Sequence, residues 1–166
     1  MSLHPAQDLD YEEALYRRMD AMLSELMERN PTGATQMGDH RWDDRLADRS
    51  AEALDEEYQG LQAMLAELQD VDGDRLGLDA QIDRQLFMHL LGMFARDYQE
   101  VKSHERNPGG YLDEAVGGAM LLIMLEFAPL ADRLRSALGR VRQVPRVLAQ
   151  ARANIVPEAV PPVWAE

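Results

Sequence analysis

The stretch DLDYEEALYRRMDAMLSELMER, residues 8–29, decides the fold class. Its apolar side chains recur at intervals of three or four residues, which is the spacing of one helix face. They form a single stripe, made by Leu15, Met19, Met22 and Leu26 with Leu23 and Met27 one step round. Such a face has to be buried against another element, so the stretch predicts an amphipathic helix packed on further helices.

The same periodicity predicts the other helices. A second begins near Ser50, a plausible N-cap, and carries Leu54, Tyr58, Leu61, Leu65 and Leu68 on one face. A third runs from Asp79 to about Lys102, with the apolar face Ile82, Leu86, Leu90, Met93 (or Phe94) and Val101. A fourth covers residues 113–126. Two more begin at Pro129 and Pro145, since proline is tolerated in the first turn of a helix, and they end near residues 139–142 and 154.

Most of the breaks between these segments are short. Pro31 ends the first helix because its ring disfavours helical backbone at Asn30, and residues 31–49 are expected to form an ordered loop or short turns. Three prolines predict an extended tail over residues 155–166. No segment alternates in the manner of a strand. We therefore predict an all-α fold, an antiparallel helical bundle of about five to six helices without significant sheet, in one domain spanning residues 1–166.

Composition excludes several function classes. The 166 residues contain no cysteine, which rules out disulfides, thiolate metal sites and cysteine nucleophiles. The net charge of −13 argues against nucleic acid or an anionic membrane as partner. Residues 1–5 lack a basic, apolar leader, and the longest uncharged apolar run has 11 residues against the roughly 20 of a membrane span. We expect a soluble chain, with the cytoplasm as the default compartment.

The charge is unevenly distributed. Residues 1–126 carry a net charge of −16, whereas residues 127–166 contain six arginines and have a net charge of +3. The basic end either packs beside an acidic helix of the same chain or faces an acidic partner, in which case Arg140 and Arg152 would belong to a seam with that partner.

No catalytic motif is present. His-Glu-x-x-His is absent, as are the phosphate-binding glycine loops and Gly-x-Ser-x-Gly. Glu100 and His104 are four residues apart and could share a helix face as in di-iron bundles, but a single pair is a weak metal signal and a solvated helix end is the simpler interpretation. His89, within an apolar stretch, is expected to be buried and hydrogen-bonded.

The most unusual polar segment is residues 35–45, which holds one histidine, two arginines, three aspartates and a tryptophan. Its substrate-cleft candidates are Asp39, His40, Arg41 and Trp42. The alternative is that the polar residues cap neighbouring helices and pair with one another, while Trp42 anchors packing. The residues alone leave both interpretations open.

Five stretches in a fixed order resemble a bacterial family known as domain-of-unknown-function family 885. The first is PTGATQMGDHRWD, residues 31–43, and the others lie at residues 78–79, 106–111, 127–140 and 144–157. Together they cover about residues 10–160. The resemblance implies a mostly helical protein far longer than this chain, similar to zinc metallopeptidases whose His-Glu-x-x-His motif lies later in the sequence.

The resemblance gives this chain no catalytic residue, no metal ligand and no cofactor of its own, because zinc is expected only in a full-length relative. It implies the N-terminal helical region of such a protein, acting as wall or lid of a substrate channel. Its expected partner is the missing C-terminal catalytic part, or a second copy through an exposed apolar face. The alternative is an independent helical ligand-binding or interaction module.

Overall fold

The computed structural model describes residues 9–164, and over that range the chain is all-α without a strand. The predicted helical fold is confirmed. The expectation about residues 1–5 lies outside the described range. The helices are α1 (Leu9–Arg29), α2 (Pro31–Gln36), α3 (Ala51–Gln69), α4 (Leu78–Arg96), α5 (Ser103–Arg106), α6 (Pro108–Leu112), α7 (Gly118–Met124) and α8 (Leu130–Asn154).

Two helices contain wide, π-helical turns. α4 continues directly into a π-helical segment, Asp97–Val101, which ends where Lys102 adopts a left-handed backbone with φ 56°. A second π-helical segment, Asp113–Gly117, joins α6 to α7. The predicted fourth helix is therefore longer than expected and begins at Pro108, with Asn107 as N-cap accepting a hydrogen bond from Gly110.

A first, apolar core joins α1, α3 and α4. Its fully buried members are Met22, Leu68 and Leu91, and the predicted stripes of the first two helices also contribute Leu15 and Leu61. Ser50 caps α3 as expected, accepting a hydrogen bond from Ala53 N. Polar pairs hold the outer edges, among them Arg18 with Glu67. Apolar burial at roughly 25 cal/mol per Å² makes this core the main stabilising feature of the first half.

A second core joins the 38–49 segment to α6, α7 and α8. Its apolar members are few: Leu46, Tyr111, Ala115 and Val147. The backbones of α8 and the 38–49 segment approach each other closely in this core. A Cβ on Gly139 of α8 would lie 2.9 Å from the Asp44 carbonyl oxygen. Charged and polar side chains fill the remaining interior.

The prediction of which face of the third helix is buried is wrong. α4 turns Ala80, Leu91 and Ala95 into the first core, while Ile82, Leu86, Met93 and Phe94 are exposed, as is Val101 in the segment that follows. α4 is apolar on more than one side, so periodicity alone selects the wrong face. For the same reason His89, expected to be buried, lies on the exposed side.

The predicted break at Pro145 is also wrong. α8 is one continuous helix with Pro145 in its interior, where the proline has no N–H to donate to the preceding turn. Contacts on both sides of Pro145 account for this: Gln143 and Arg146 bond to the 44–47 backbone, and Val147 is fully buried. Tertiary packing outweighs the local preference.

Two stretches that were expected to lack helices, residues 31–49 and the tail after residue 154, each contain short helical segments. Pro31 ends α1 and at the same time begins α2, capped by the Asn30 side chain, which accepts from Gly33 N. Toward the C-terminus, two short 3-10 helices occur at Pro157–Ala159 and Pro162–Trp164. Val156 N donates to the Glu105 carbonyl at 2.9 Å, which fixes the start of this segment against α5.

Candidate functional site

The four sequence-predicted residues lie close together, immediately after α2. Gly38 takes a positive φ of 85°, a conformation that glycine adopts at little cost, and turns the chain out of the helix. Asp39 and Arg41 then pair with each other, Nη2 to Oδ2 at 2.7 Å, and Arg41 also donates to Ser24 on α1. The Arg41 bond holds the pKa of the Asp39 carboxyl below its usual value.

His40 and Trp42 have different surroundings. The His40 Nδ1 lies 3.0 Å from Asp43 Oδ2, and its ring stacks on Phe127 with centroids 3.6 Å apart. Trp42 is buried, with the Arg41 guanidinium 4.1 Å from its ring centroid. The structure thus brings the four residues together and pairs most of their polar groups internally. Whether they contact a substrate stays a prediction.

Behind this loop lies a buried polar cluster, formed by Thr32, Thr35, Asp43, Glu114 and Arg140. Arg140 is fully buried and donates to Thr35 Oγ1 at 2.6 Å and to the Gly118 carbonyl at 2.6 Å. Thr35 in turn donates to Asp43 Oδ1 at 2.6 Å. Glu114 accepts from Ala47 N and from Thr32. The cluster ties the loop to α2, α7 and α8.

This cluster corrects the proposed seam role of Arg140. Burial lowers the pKa of its guanidinium, and the nearby Asp43 and Glu114 carboxylates oppose that effect. Arg133 is buried as well and donates to the carbonyls of Leu122 and Ile123 at the end of α7. Arg133 and Arg140 therefore pack inside the chain, but their partners are main-chain carbonyls, Thr35 and Asp43 of the loop rather than the acidic helix of the first alternative.

A larger candidate site lies elsewhere, in a groove of about 630 Å³ between α1, α3 and α4. We call it the α4 groove. That volume is within the range of about 300–1,000 Å³ of ligand sites. Its long walls are apolar, made by Leu23, Leu26, Met27, Leu54, Leu61, Leu90, Met93 and Phe94. None of the four loop candidates lines it.

The far end of the α4 groove carries a ladder of three stacked rings. Tyr58 of α3 stacks on Tyr98 at 4.8 Å between centroids, and Tyr98 stacks on His104 at 4.9 Å. Burial lowers the pKa of His104 and raises that of Tyr98, so both rings are uncharged at neutral pH. Tyr111 donates to the His104 carbonyl at 2.8 Å and fixes that residue to α6.

Sequence reasoning missed this ladder. Tyr98 and His104 are six residues apart, which in a regular helix separates them by about 240° around the axis. The π-helical segment and the left-handed Lys102 bring the rings face to face, and no residue pattern signals that break. The same break overturns the helix face suggested for Glu100 and His104, and Glu100 pairs with Arg96 instead.

The part of the chain that the structure describes does not provide the donor set of a zinc site. Within residues 9–164, no three histidine, aspartate or glutamate side chains are grouped so that they could hold a metal ion. These residues therefore do not fit the zinc centre that the resemblance places in longer relatives. No helix in the same range is both long and apolar enough to cross a membrane.

Comparison with known proteins places this architecture in a family. The family model described as "Bacterial protein of unknown function (DUF885)" matches residues 31–165. The chain belongs to this family. The match includes both the 38–45 loop and the ladder of the α4 groove, and it begins at Pro31, where α2 starts.

A solved structure is similar to this DUF885 chain. It is described as a "putative lipoprotein of unknown function" from Shewanella oneidensis, with a TM-score of 0.78 and 31% sequence identity. The similarity covers 86% of this chain but 26% of the solved one, so this chain spans about a quarter of its relative's length. No curated protein matches significantly. The expected cytoplasmic location stays a prediction.

Proposed function

We propose that this DUF885 chain is the N-terminal helical region of a longer, metallopeptidase-like protein, in which it forms a wall or lid of the substrate channel and performs no catalysis alone. The observation that carries the proposal is an exposed apolar stripe along α8. Its members are Leu130, Leu134, Leu138, Val141 and Leu148, each more than a third exposed.

The spacing of this stripe supports a helical partner. The first four members follow one another at intervals of four, four and three residues, as the contact positions of packed helices do. A neighbouring side of α8, about 90° round the helix axis, is already buried through Arg133, Ala137, Arg140 and Val147. α8 therefore has two packing faces, and the second has no partner within residues 9–164. Monomeric proteins rarely leave apolar surface of this kind exposed.

The length of a relative indicates what covers the α8 stripe. A relative with the same architecture over 86% of this chain is more than three times as long, so the rest of such a protein is large enough to cover the stripe. A wall or lid needs no catalytic groups of its own.

A second function is favoured by the α4 groove. A cleft of about 630 Å³ with apolar walls and polar groups at one end is the usual form of a small-molecule site. In that case the chain would be an independent ligand-binding module, and its α8 stripe would remain in water.

Sedimentation velocity tests the proposal. We expect the purified chain to self-associate as its concentration rises, and the double variant L134D/L138D to remain monomeric with unchanged helicity by circular dichroism. Arg142→Asp is the matched control, since it alters charge on the exposed surface of α8 without removing apolar area. The proposal is contradicted if the wild-type chain stays monomeric at all concentrations. It is also contradicted if the isolated chain hydrolyses peptides when zinc is added.

A further inference from the structure

The charged side chains that line the α4 groove leave a net negative charge at its polar end. Arg49 and Glu57 neutralise each other, with a guanidinium nitrogen 3.7 Å from a carboxylate oxygen. The third charged residue, Asp97, accepts a hydrogen bond at Oδ1 from the Ser103 hydroxyl at 2.6 Å. Because that donor is neutral, the carboxylate keeps its charge. Within residues 9–164, no basic side chain forms an ion pair with Asp97.

The turn that follows Asp97 holds this carboxylate in place. Lys102 adopts a left-handed backbone with φ 56°, and its N–H donates to the Asp97 carbonyl at 2.6 Å. The Lys102 ammonium pairs with Glu105 at 3.3 Å, so it does not neutralise Asp97. Wide helical turns of this kind are frequent at functional sites, because they move side chains out of the regular helical order. The result is a fixed, charged acceptor at the end of an apolar cleft.

The three stacked rings at the same end of the groove also favour a positive charge. Tyr58 stacks on Tyr98, and Tyr98 stacks on His104. The faces of aromatic rings carry negative partial charge and attract cations. Burial raises the pKa of Tyr98, and the carboxylates of Asp55 and Glu105 raise it further, as expected where acidic groups predominate. The histidine of the stack is neutral at pH 7, because burial lowers its pKa.

These surroundings discriminate among ligands by charge. A neutral apolar ligand would cover the Asp97 carboxylate and remove its water without supplying a counter-charge, and burial of an unpaired charge is strongly unfavourable. An anionic ligand would add repulsion to that cost. A ligand with an amine at one end avoids both penalties, because its ammonium group pairs with the carboxylate while its apolar part covers the walls.

We infer that the α4 groove binds an apolar small molecule that carries one positively charged amine. The ammonium group lies next to Asp97 and the Tyr58–Tyr98–His104 stack, and the apolar body lies along Leu90, Met93 and Phe94. The volume of about 630 Å³ suits a ligand of this class. Binding in the groove does not depend on the α8 stripe, so it is expected both in a channel wall and in an independent module.

Nuclear magnetic resonance titration of the chain at pH 7 tests this inference. The probe is 4-phenylbutylamine, compared with 4-phenylbutanol and 4-phenylbutyrate, which have the same apolar body with a neutral or a negative end. We expect saturable shifts of the backbone amides of residues 97–104 with the amine. Its affinity should exceed that of the alcohol and of the carboxylate by about tenfold or more.

Two aspartates provide matched variants for the charge. Asp97→Asn keeps an acceptor for the Ser103 hydroxyl and removes the charge, so the affinity for the amine should fall to that for the alcohol, which should not change. Asp79→Asn is the control, because Asp79 is an exposed residue of α4 outside the groove and its substitution changes the net charge equally. It should leave the affinity for the amine within about twofold of wild type.

Two exposed α4 residues locate the apolar body of the ligand. Met93 lines the groove and is 57% exposed, whereas Ile82 lies outside it and is 52% exposed. Met93→Ala should weaken the binding of amine and alcohol by the same factor, about threefold, and Ile82→Ala should weaken neither.

Four results would each overturn the inference. They are equal affinities of the wild-type chain for the three probes, equal effects of the two aspartate variants, equal effects of the two alanine variants, and no saturable binding at millimolar amine. The comparison of probes on the wild-type chain decides even if a variant fails to fold. Because the α8 stripe is assayed separately by sedimentation, failure of the groove and failure of the channel-wall proposal are distinguishable.

Discussion

The two cores of the molecule are stabilised by different chemistry. In the first, α1, α3 and α4 meet through Met22, Leu68 and Leu91, and every buried member is apolar. In the second, α8 meets the 38–49 segment through Arg140, Asp43 and their hydrogen-bonded neighbours. The difference separates two roles. The polar region fixes a loop in place, whereas the apolar region leaves an open groove.

The contrast between the two cores gives the charged 35–45 segment a structural role. The 35–45 segment attracts attention because it concentrates charge, yet Asp43 serves to hold Thr35 and Arg140 in the interior. A rigid loop of this kind can still present His40 to a ligand. Its buried charges, however, are explained by structure alone.

We expect the largest loss of stability from a substitution in the second, polar core. Arg140→Ala leaves Thr35 Oγ1 and the Gly118 carbonyl without their buried donor, and it removes the cation that lies 3.9 Å from Asp43 Oδ1. We expect the free energy of unfolding to fall by about 3–5 kcal/mol, the usual cost of breaking a buried ion pair. Urea denaturation measures it, with exposed Arg142→Ala as control, expected within about 0.5 kcal/mol of wild type. A loss as small for Arg140→Ala as for the control would mean that the second core does not depend on the cluster.

Much of the first core could be predicted from the sequence, because α1 and α3 each have one dominant apolar stripe and Ser50 is an N-cap by residue type. α4 could not be oriented, since its apolar residues exceed what one core can bury. The continuity of α8 through Pro145 depends on distant contacts with residues 44–47. The aromatic ladder depends on a backbone break at Lys102, and local preferences give no sign of it.

Two glycines, one packed against the loop and one facing open space, show the contrast in packing. A Cβ at Gly139 would lie 2.9 Å from the Asp44 carbonyl oxygen, so Gly139→Ala should destabilise the protein by about 1–3 kcal/mol. Gly92 in α4 has no atom within 4 Å of the same position, so Gly92→Ala should stabilise it by about 0.5–1 kcal/mol through helix propensity. Thermal unfolding of both variants gives the signs. A Gly139→Ala protein as stable as wild type would show that α8 and the loop are less closely packed than described.

The smallest expected effect concerns pH. Burial lowers the pKa of His104 in the folded protein below its ordinary value of about 6.5. The unfolded chain then binds more protons, so this contribution to stability is present above that value and decreases as the pH falls. His104→Phe keeps a ring against Tyr98 and should lose less melting temperature than wild type between about pH 7.5 and pH 5.5. If wild type and His104→Phe lose the same melting temperature over this pH range, His104 lies in water rather than in the groove wall.

We propose that this DUF885 chain works as one region of a longer protein. The most direct measurement is the intact mass of the native protein, recovered from its source cells with an antibody against α8 and its neighbours. We expect a mass several times the 18.8 kDa of these 166 residues, with peptides following Glu166 that include His-Glu-x-x-His. A native protein of 18.8 kDa would contradict it and favour the independent ligand-binding module.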